Sequence, residues 1–304
     1  MKKEIILLLS MFVTLIANSQ NREQYTNYMY NTIVVNPAYA GSRSSINIFG
    51  LHRNQWVGLE GAPLTNILSV NAPVSNKIGL GISVINDNIG VSERNDILAD
   101  FAYTIPFNDN YKLAFGLKGG FSILNVDFTK LTQQPGDPVF ENNINNRFSP
   151  NVGIGFYLYS NKTYIGLSAP YLIQTDHYSE ESSTSKIITS KINYLLIAGH
   201  VFDLSRDVKF KPSLLTKYAP GAPLQVDVSC NFLINEKFVA GLAYRWSAAF
   251  SGMAGFQINK SWFIGYGYDF DTTDLGNYNS GSHEIFLRYE IFRKEHKIIN
   301  PRFF

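Results

Sequence analysis

The chain has one cysteine, Cys230, in 304 residues. No internal disulfide framework can form, and no lipid-bearing cysteine follows the leader. No stretch reaches the roughly 18 apolar residues of a transmembrane helix. The formal net charge is only +2, which gives no general electrostatic case for nucleic acid or an acidic partner. Histidine is sparse: His52, His177, His200, His283 and His296 are scattered, without metal-ligand spacing such as His-Glu-x-x-His. No Gly-x-Ser-x-Gly elbow is present. The expectation is a chain that is not an enzyme and carries no metal or cofactor.

What is present begins with an export signal. Lys2 and Lys3 precede an apolar run from Ile5 to Ile16, too short to span a membrane. Ala17-Asn18-Ser19 supplies small residues for cleavage before Gln20, so residues 1–19 read as a signal peptide. Aromatics reach 14%, nearly all Tyr and Phe, which suits a barrel with aromatic girdles. The mean hydropathy of −0.06 does not contradict this, because a barrel interleaves apolar and polar side chains.

The interleaving is explicit between Gln225 and Trp246. Val226, Val228, Cys230 and Phe232 alternate with Gln225, Asp227, Ser229 and Asn231. After a turn at Asn235–Lys237, Phe238, Ala240, Leu242, Tyr244 and Trp246 alternate with Val239, Gly241, Ala243 and Arg245. Repetition of this period predicts about fourteen strands over residues 45–292. Short turns such as Ser75-Asn76-Lys77, Asn108-Asp109-Asn110 and Ser160-Asn161-Lys162 take turns with longer links, expected at Trp56–Pro63, Asn86–Asn95, Thr129–Arg147, Gln174–Lys186 and Asp271–Gly281. That is the pattern of an all-β, transmembrane, antiparallel β-barrel. Short turns face the periplasm in such barrels, so an even strand count predicts periplasmic termini.

A charge facing lipid at the midplane costs about 2–4 kcal/mol, so charged faces should turn inward. Lys112, Lys118, Lys209, Lys211, Asp227, Asn231, Arg245, Glu284, Arg288 and Glu290 are the predicted lumen residues. Both signs occur, which argues against a simple ion-selective pore. Glycine pairs such as Gly79–Gly81 and Gly153–Gly155 relieve crowding on the inner face. Cys230 falls on the lipid face as a small apolar residue. Asp269, Asp271 and Asp274 read as solvated loop acids; their spacing is not that of a calcium loop.

Two segments flank the strands. Residues 20–44 hold Tyr25, Tyr28, Met29 and Tyr30 at roughly helical spacing, then Asn36-Pro37-Ala38-Tyr39-Ala40-Gly41. This is either a plug in the lumen, a cap at the periplasmic mouth or a plain lead-in strand. Residues 293–304 form a basic periplasmic tail ending in Phe303 and Phe304. Both Phe292 and Phe304 could serve as the terminal aromatic read by barrel-assembly machinery.

These segments carry a family likeness. Gln24-Tyr25, Tyr28-Met29-Tyr30-Asn31, Asn36 to Gly41, Arg53-Asn54-Gln55-Trp56-Val57-Gly58-Leu59 with Gly61-Ala62-Pro63, and Asn300-Pro301-Arg302-Phe303-Phe304 resemble the PorP/SprF family of the Bacteroidetes type IX secretion system. The resemblance implies an outer-membrane protein that helps export and attach large surface proteins bearing a type-B C-terminal domain, including gliding adhesins. It also implies contact with periplasmic secretion or gliding components, besides outer-membrane lipid. Asn36, Pro37, Ala38, Tyr39, Ala40, Gly41, Gln55 and Trp56 transfer as structural or interaction positions, with no catalytic residue. A transport channel for a small solute is the alternative.

Overall fold

A computed structural model describes residues 25–131, 143–173 and 191–292. The leader 1–19 and the tail 293–304 lie outside the described residues, as do most of Thr129–Arg147 and all of Gln174–Lys186. One antiparallel sheet closes on itself with fourteen strands. They are β1 Ser45–Asn54, β2 Leu64–Pro73, β3 Ile78–Ile89, β4 Ser92–Pro106 and β5 Lys112–Val126. Next come β6 Ile144–Tyr159, β7 Thr163–Ala169, β8 Tyr194–His200, β9 Val208–Tyr218 and β10 Gln225–Ile234. The circuit ends with β11 Phe238–Arg245, β12 Ala249–Gln257, β13 Trp262–Asp271 and β14 Ser282–Phe292. β8 breaks at Val201 and resumes for Phe202–Asp203, still paired to β9. β1 and β14 seal the barrel from Ser45↔Phe292 to Asn54↔His283. The barrel's own two ends therefore meet at the rim of short turns.

The alternation read from sequence is the alternation of faces. On β10, Asp227, Ser229 and Asn231 are buried while Val228, Cys230 and Phe232 face outward. On β11, Leu242 is 71% exposed. An apolar outer face on a closed sheet needs lipid as its solvent, and aromatic pairs mark two girdles along it. Near the short turns Phe210 packs tilted against Phe232, Phe238 against Phe256 and Trp262 against Tyr289. Near the long loops Tyr194 meets Tyr218 and Tyr244 meets Phe250. Leu242→Arg would place a cation in this belt at a cost of about 2–4 kcal/mol near the midplane. The expected result is a reduced fraction of heat-modifiable, folded barrel in the outer membrane. A wild-type fraction would overturn the outward assignment.

One link differs from expectation. Asn86–Asn95 is a tight hairpin: β3 and β4 stay paired to Ile89↔Ser92, and Gly90-Val91 makes the turn. Gly90 has φ +58, a conformation open to glycine without a Cβ penalty. The asparagines that suggested a loop instead hydrogen-bond across the strands. β5 and β6 also remain paired to Val126↔Ile144. Strands of 15 and 16 residues exceed the roughly 9–11 needed to cross a membrane. The excess projects past the long-loop rim, where Leu124, Val126 and Phe128 pack with Val91 and Ile144 in a cluster of their own. Just beyond, hydrogen bonds from Thr129 hold the Asp127 carboxyl below its usual pKa.

Candidate functional site

The lumen is filled by the chain's own N-terminal segment. Tyr25 to Ala40 are all buried, and Met29, Ile33, Tyr39, Phe49, Ile85, Phe263 and Phe286 belong to one apolar cluster inside the barrel. Residues 26–30 form turns, and only Thr32–Val35 make a helical turn, α1. This helical turn stays short for local reasons. Its residues are β-branched, which weakens helix propensity. Pro37 then pushes Asn36 out of the helical region, and Asn36 has φ −144 and ψ 111. A 3-10 turn over Pro37–Tyr39 follows.

From Ser45 the segment runs back up the lumen. At the short-turn rim Gly41 crosses Gly79 so closely that a Cβ on Gly79 would meet the Ala40 carbonyl oxygen at 2.0 Å. A Cβ on Gly116 would meet the Ala38 nitrogen at 2.1 Å. These inward glycines exist to admit the plug, a sharper role than general relief of crowding. Midway, Ser69 donates to the Asn31 side chain at 2.8 Å and Ser168 Oγ to the Val35 carbonyl at 2.6 Å. Lys118 is paired with Asp100 at 2.9 Å and donates to the Ile33 carbonyl at 3.2 Å. Tyr25 ends beside Lys217 and Gln225, toward the long-loop rim.

There the plug is latched by charge. Arg53 is 1% exposed and reaches Asp269 at 2.6 Å and Glu284 at 3.0 Å. The Thr26 and Asn27 backbone N–H groups donate to Glu284 at 3.1 and 2.9 Å. The Asn27 amide adds a bond to Glu284 at 2.7 Å, and Thr26 Oγ1 donates to Asp269 at 2.7 Å. Buried charges need partners to offset lost hydration; here the plug supplies four of the bonds to these two carboxylates and Arg53 two. A second lock stands at the other rim, where Glu290 takes bonds from Arg43 at 2.7 Å and Ser45 at 2.9 Å.

The sequence-predicted lumen residues fall into three groups. Lys118, Lys211, Asp227, Asn231, Arg245, Glu284, Arg288 and Glu290 are buried inside the barrel. Arg245 pairs with Asp227 at 3.1 Å, Lys211 lies over the Tyr30 ring, and Arg288 lies 4.9 Å from the Phe263 ring centre. Lys209 sits near the short-turn rim, 3.7 Å from Glu236. Lys112 shares the inward face of β5 but is exposed at its first position. Asp269 is not the solvated loop acid expected from sequence. It is on β13 and 2% exposed, whereas Asp274 lies in the following loop. Arg53, Asp269, Arg43, Thr26 and Asn27 join the lumen residues inside the barrel. Arg53 shares its face of β1 with Ser45, Asn47, Phe49 and Leu51, so period two alone does not mark that face as charged. Among the described residues no three His, Cys, Asp or Glu side chains could hold a metal.

A family profile described as "Type IX secretion system membrane protein PorP/SprF" matches residues 17–289. The chain belongs to the PorP/SprF family. It is an outer-membrane β-barrel protein of the type IX secretion system. Among solved structures it is similar to the outer-membrane protein Omp33 of Acinetobacter baumannii, at 8% identity and a TM-score of 0.51, covering 82% of this chain and 98% of that one. It is similar also to the CymD monoaromatic hydrocarbon channel, at 13% identity and a TM-score of 0.52, covering 86% and 93%. At such identities the likeness is one of fold alone. No curated protein matches the chain.

The PorP/SprF motif residues have legible jobs in this barrel. Asn36 Oδ1 accepts from the Ala38 N–H at 3.0 Å, while its Nδ2 donates to the Phe156 carbonyl at 3.0 Å. One side chain thus shapes the turn and ties it to β6. Pro37 and Ala38 pass the inward glycines, Tyr39 meets Tyr157 edge-on at 5.7 Å, and Gly41 has φ +68. Gln55 and Trp56 lie in the β1–β2 loop. The Gln55 N–H donates to Pro63 O at 2.9 Å, and the Trp56 N–H to Ser282 Oγ at 3.1 Å. Val57 and Ser280 exchange the loop with its neighbour through the Gly281 and Val57 carbonyls. The motif therefore builds plug and rim. Asn300 to Phe304 lie outside the described residues.

Proposed function

We propose that this PorP/SprF member is a non-catalytic docking barrel. It binds the type-B C-terminal domain of a large surface protein, such as a gliding adhesin, and supports that protein's type IX export and attachment. On this reading it also links the cargo to periplasmic secretion or gliding components at its short-turn rim. The observation that carries the reading is the filled lumen. Sixteen consecutive residues, 25–40, are buried inside the barrel, and the cavity beside Tyr25, Tyr28 and Val34 is about 50 Å³, space for a few waters. A barrel so filled supports work done on its rims and outer face, and counts against solute conduction.

Since residues 25–40 are packed inside, the surfaces open to cargo are the loops and the projecting β3–β6 hairpins. The test is recovery of partners in mild detergent from cells that express the tagged chain with its neighbouring genes. The expected result is a large protein carrying a type-B domain, lost when the exposed β3–β4 tip at Gly90-Val91 is capped by an inserted epitope. Repeated failure to recover any such protein from wild-type barrel would overturn the reading. A proteoliposome that takes up a small solute at porin-like rates would favour the channel instead.

A further inference from the structure

The outer face has a sector that does not match the rest of the barrel. On β9, β11 and β12 the belt near the long loops carries Tyr218, Tyr244 and Phe250. On β1 to β4 its place is taken by hydrogen-bonded polar side chains that point outward. His52 Nδ1 lies 2.8 Å from Asn66 Oδ1. Asn66 Nδ2 donates to Asn86 Oδ1 at 3.3 Å, and Asn86 Nδ2 to Asn95 Oδ1 at 2.9 Å and Glu93 at 3.1 Å. The register places them side by side, His52↔Asn66↔Asn86↔Asn95. Asn86 spends its whole amide within the row, also accepting from Asn88 at 3.1 Å, whereas one N–H of Asn66 and the second ring nitrogen of His52 are not used by these bonds and need a polar partner at the edge of a lipid belt.

Directly below this row the wall is hollow. Gly50 faces outward, and its pairing partners on β2 and β14 are Leu68 and Leu287. Leu68 is 55% and Leu287 40% exposed, whereas a Cβ on Gly50 would have nothing within 4 Å. Val84 and Ile285 extend the two walls, and the groove measures about 560 Å³. That is within the roughly 300–1,000 Å³ of ordinary ligand clefts. Its floor is hydrocarbon, its upper edge is His52, Asn66 and Asn86, and it opens onto the lipid-facing belt without a break.

We propose that this groove is a lipid site: it seats one acyl chain of a membrane lipid over Gly50, with the ester or amide linkage of that lipid against His52 and Asn66. Continuity with the belt selects the occupant, because lipid is the medium that meets the groove. Asn66 and His52 select the orientation, because one Asn66 N–H and the second His52 ring nitrogen are left for the linkage. The Gly50 gap fixes the chain's path, since either flanking leucine excludes it from the neighbouring strands. The site is independent of which protein the rims bind.

The probe is a phosphatidylethanolamine with a diazirine on one acyl chain, present as a trace in vesicles holding the full-length barrel. After illumination, label on the segments bearing Leu68, Val84 and Leu287 should exceed that on the segment bearing Leu242 at least fivefold. Gly50→Trp fills the hollow without touching the lumen and should abolish the excess. His52→Ala combined with Asn66→Ala should reduce it several-fold, with heat-modifiable migration unchanged. Even labelling around the barrel would overturn the proposal, as ordinary annular lipid only. So would a benzoyl-phenylalanine at Leu68 that crosslinks in cells to a protein instead of a lipid.

Discussion

Deleting residues 25–41 should turn a silent barrel into a conducting one. In planar bilayers the wild-type protein is expected to give no resolved steps; the deletion, refolded in detergent, should give steps of porin size. The reason is that the wall and the plug are separable in their hydrogen bonding but not in their volume. The fourteen strands close their backbone ladder through Ser45↔Phe292 without any help from residues 25–41. The plug instead supplies the atoms that fill the bore, including Tyr30, Ile33 and Tyr39, each no more than 3% exposed. A second variant guards against a barrel that fails to fold. Gly79→Leu with Gly116→Leu leaves every residue in place but drives side chains into Ala40 and Ala38, whose atoms stand 2.0 and 2.1 Å from the added Cβ positions. Overpacking of this kind costs about 1–3 kcal/mol per site, and the looser partner is the plug, not the closed sheet. Flickering conductance is the expected result. Silent bilayers for both variants, with folded barrel verified by migration, would mean that something other than the plug closes the lumen.

How much of this was visible in the sequence depends on which constraint wrote it. A strand between lipid and lumen must alternate, so β10 and β11 could be read residue by residue, and the outward Leu242 and inward Arg245 follow from period two alone. Strand ends were less legible. Asn86, Asn88 and Asn95 have the composition of a loop, yet they bond along and across the strands because β3 and β4 stay paired out to Ile89↔Ser92. The plug was legible only as a choice between positions. Its helical spacing of aromatics describes a segment with apolar sides, and apolar sides suit a plug or a cap equally. What decides is on the facing strands. Phe49, Leu51, Ile67, Ile85 and Phe286 point inward, toward what an empty pore would fill with water. Strands apolar on both faces, with inward glycines at Gly79, Gly116 and Gly155, are a sign that the lumen holds protein. The latch was hidden for a related reason: Thr26, Arg53, Asp269 and Glu284 are far apart in sequence, and no local spacing joins them.

Arg53→Ala should be the most destabilising single substitution in the barrel. It removes one guanidinium from two carboxylates, Asp269 and Glu284, which are 2% and 0% exposed. Removing one partner of a buried pair costs about 3–5 kcal/mol, because the remaining charges stay desolvated. The exposed pair Lys162–Asp203, with side chains 48% and 44% exposed, is the internal control, worth about 0–1 kcal/mol. The measurement is the temperature at which purified barrel loses its heat-modifiable migration, beside protease cutting between residues 25 and 44. Arg53→Ala should lower that temperature sharply and open the plug to cutting; Lys162→Ala should do neither. Arg53→Lys should fall between them, since one ammonium cannot reproduce a planar fork that reaches Asp269, Glu284 and Thr26 together. Charge is separated from shape by Arg53→Met with Asp269→Asn and Glu284→Gln. That triple variant has no buried charge left unpaired, so it should recover much of the lost temperature. It still lacks the ionised acceptor for the Thr26 and Asn27 N–H groups, so cutting of the plug should persist. Recovery of both properties would mean that packing alone seats the plug. Loss of neither in Arg53→Ala would mean that water reaches the latch and that the N-terminal end of the plug is held from elsewhere.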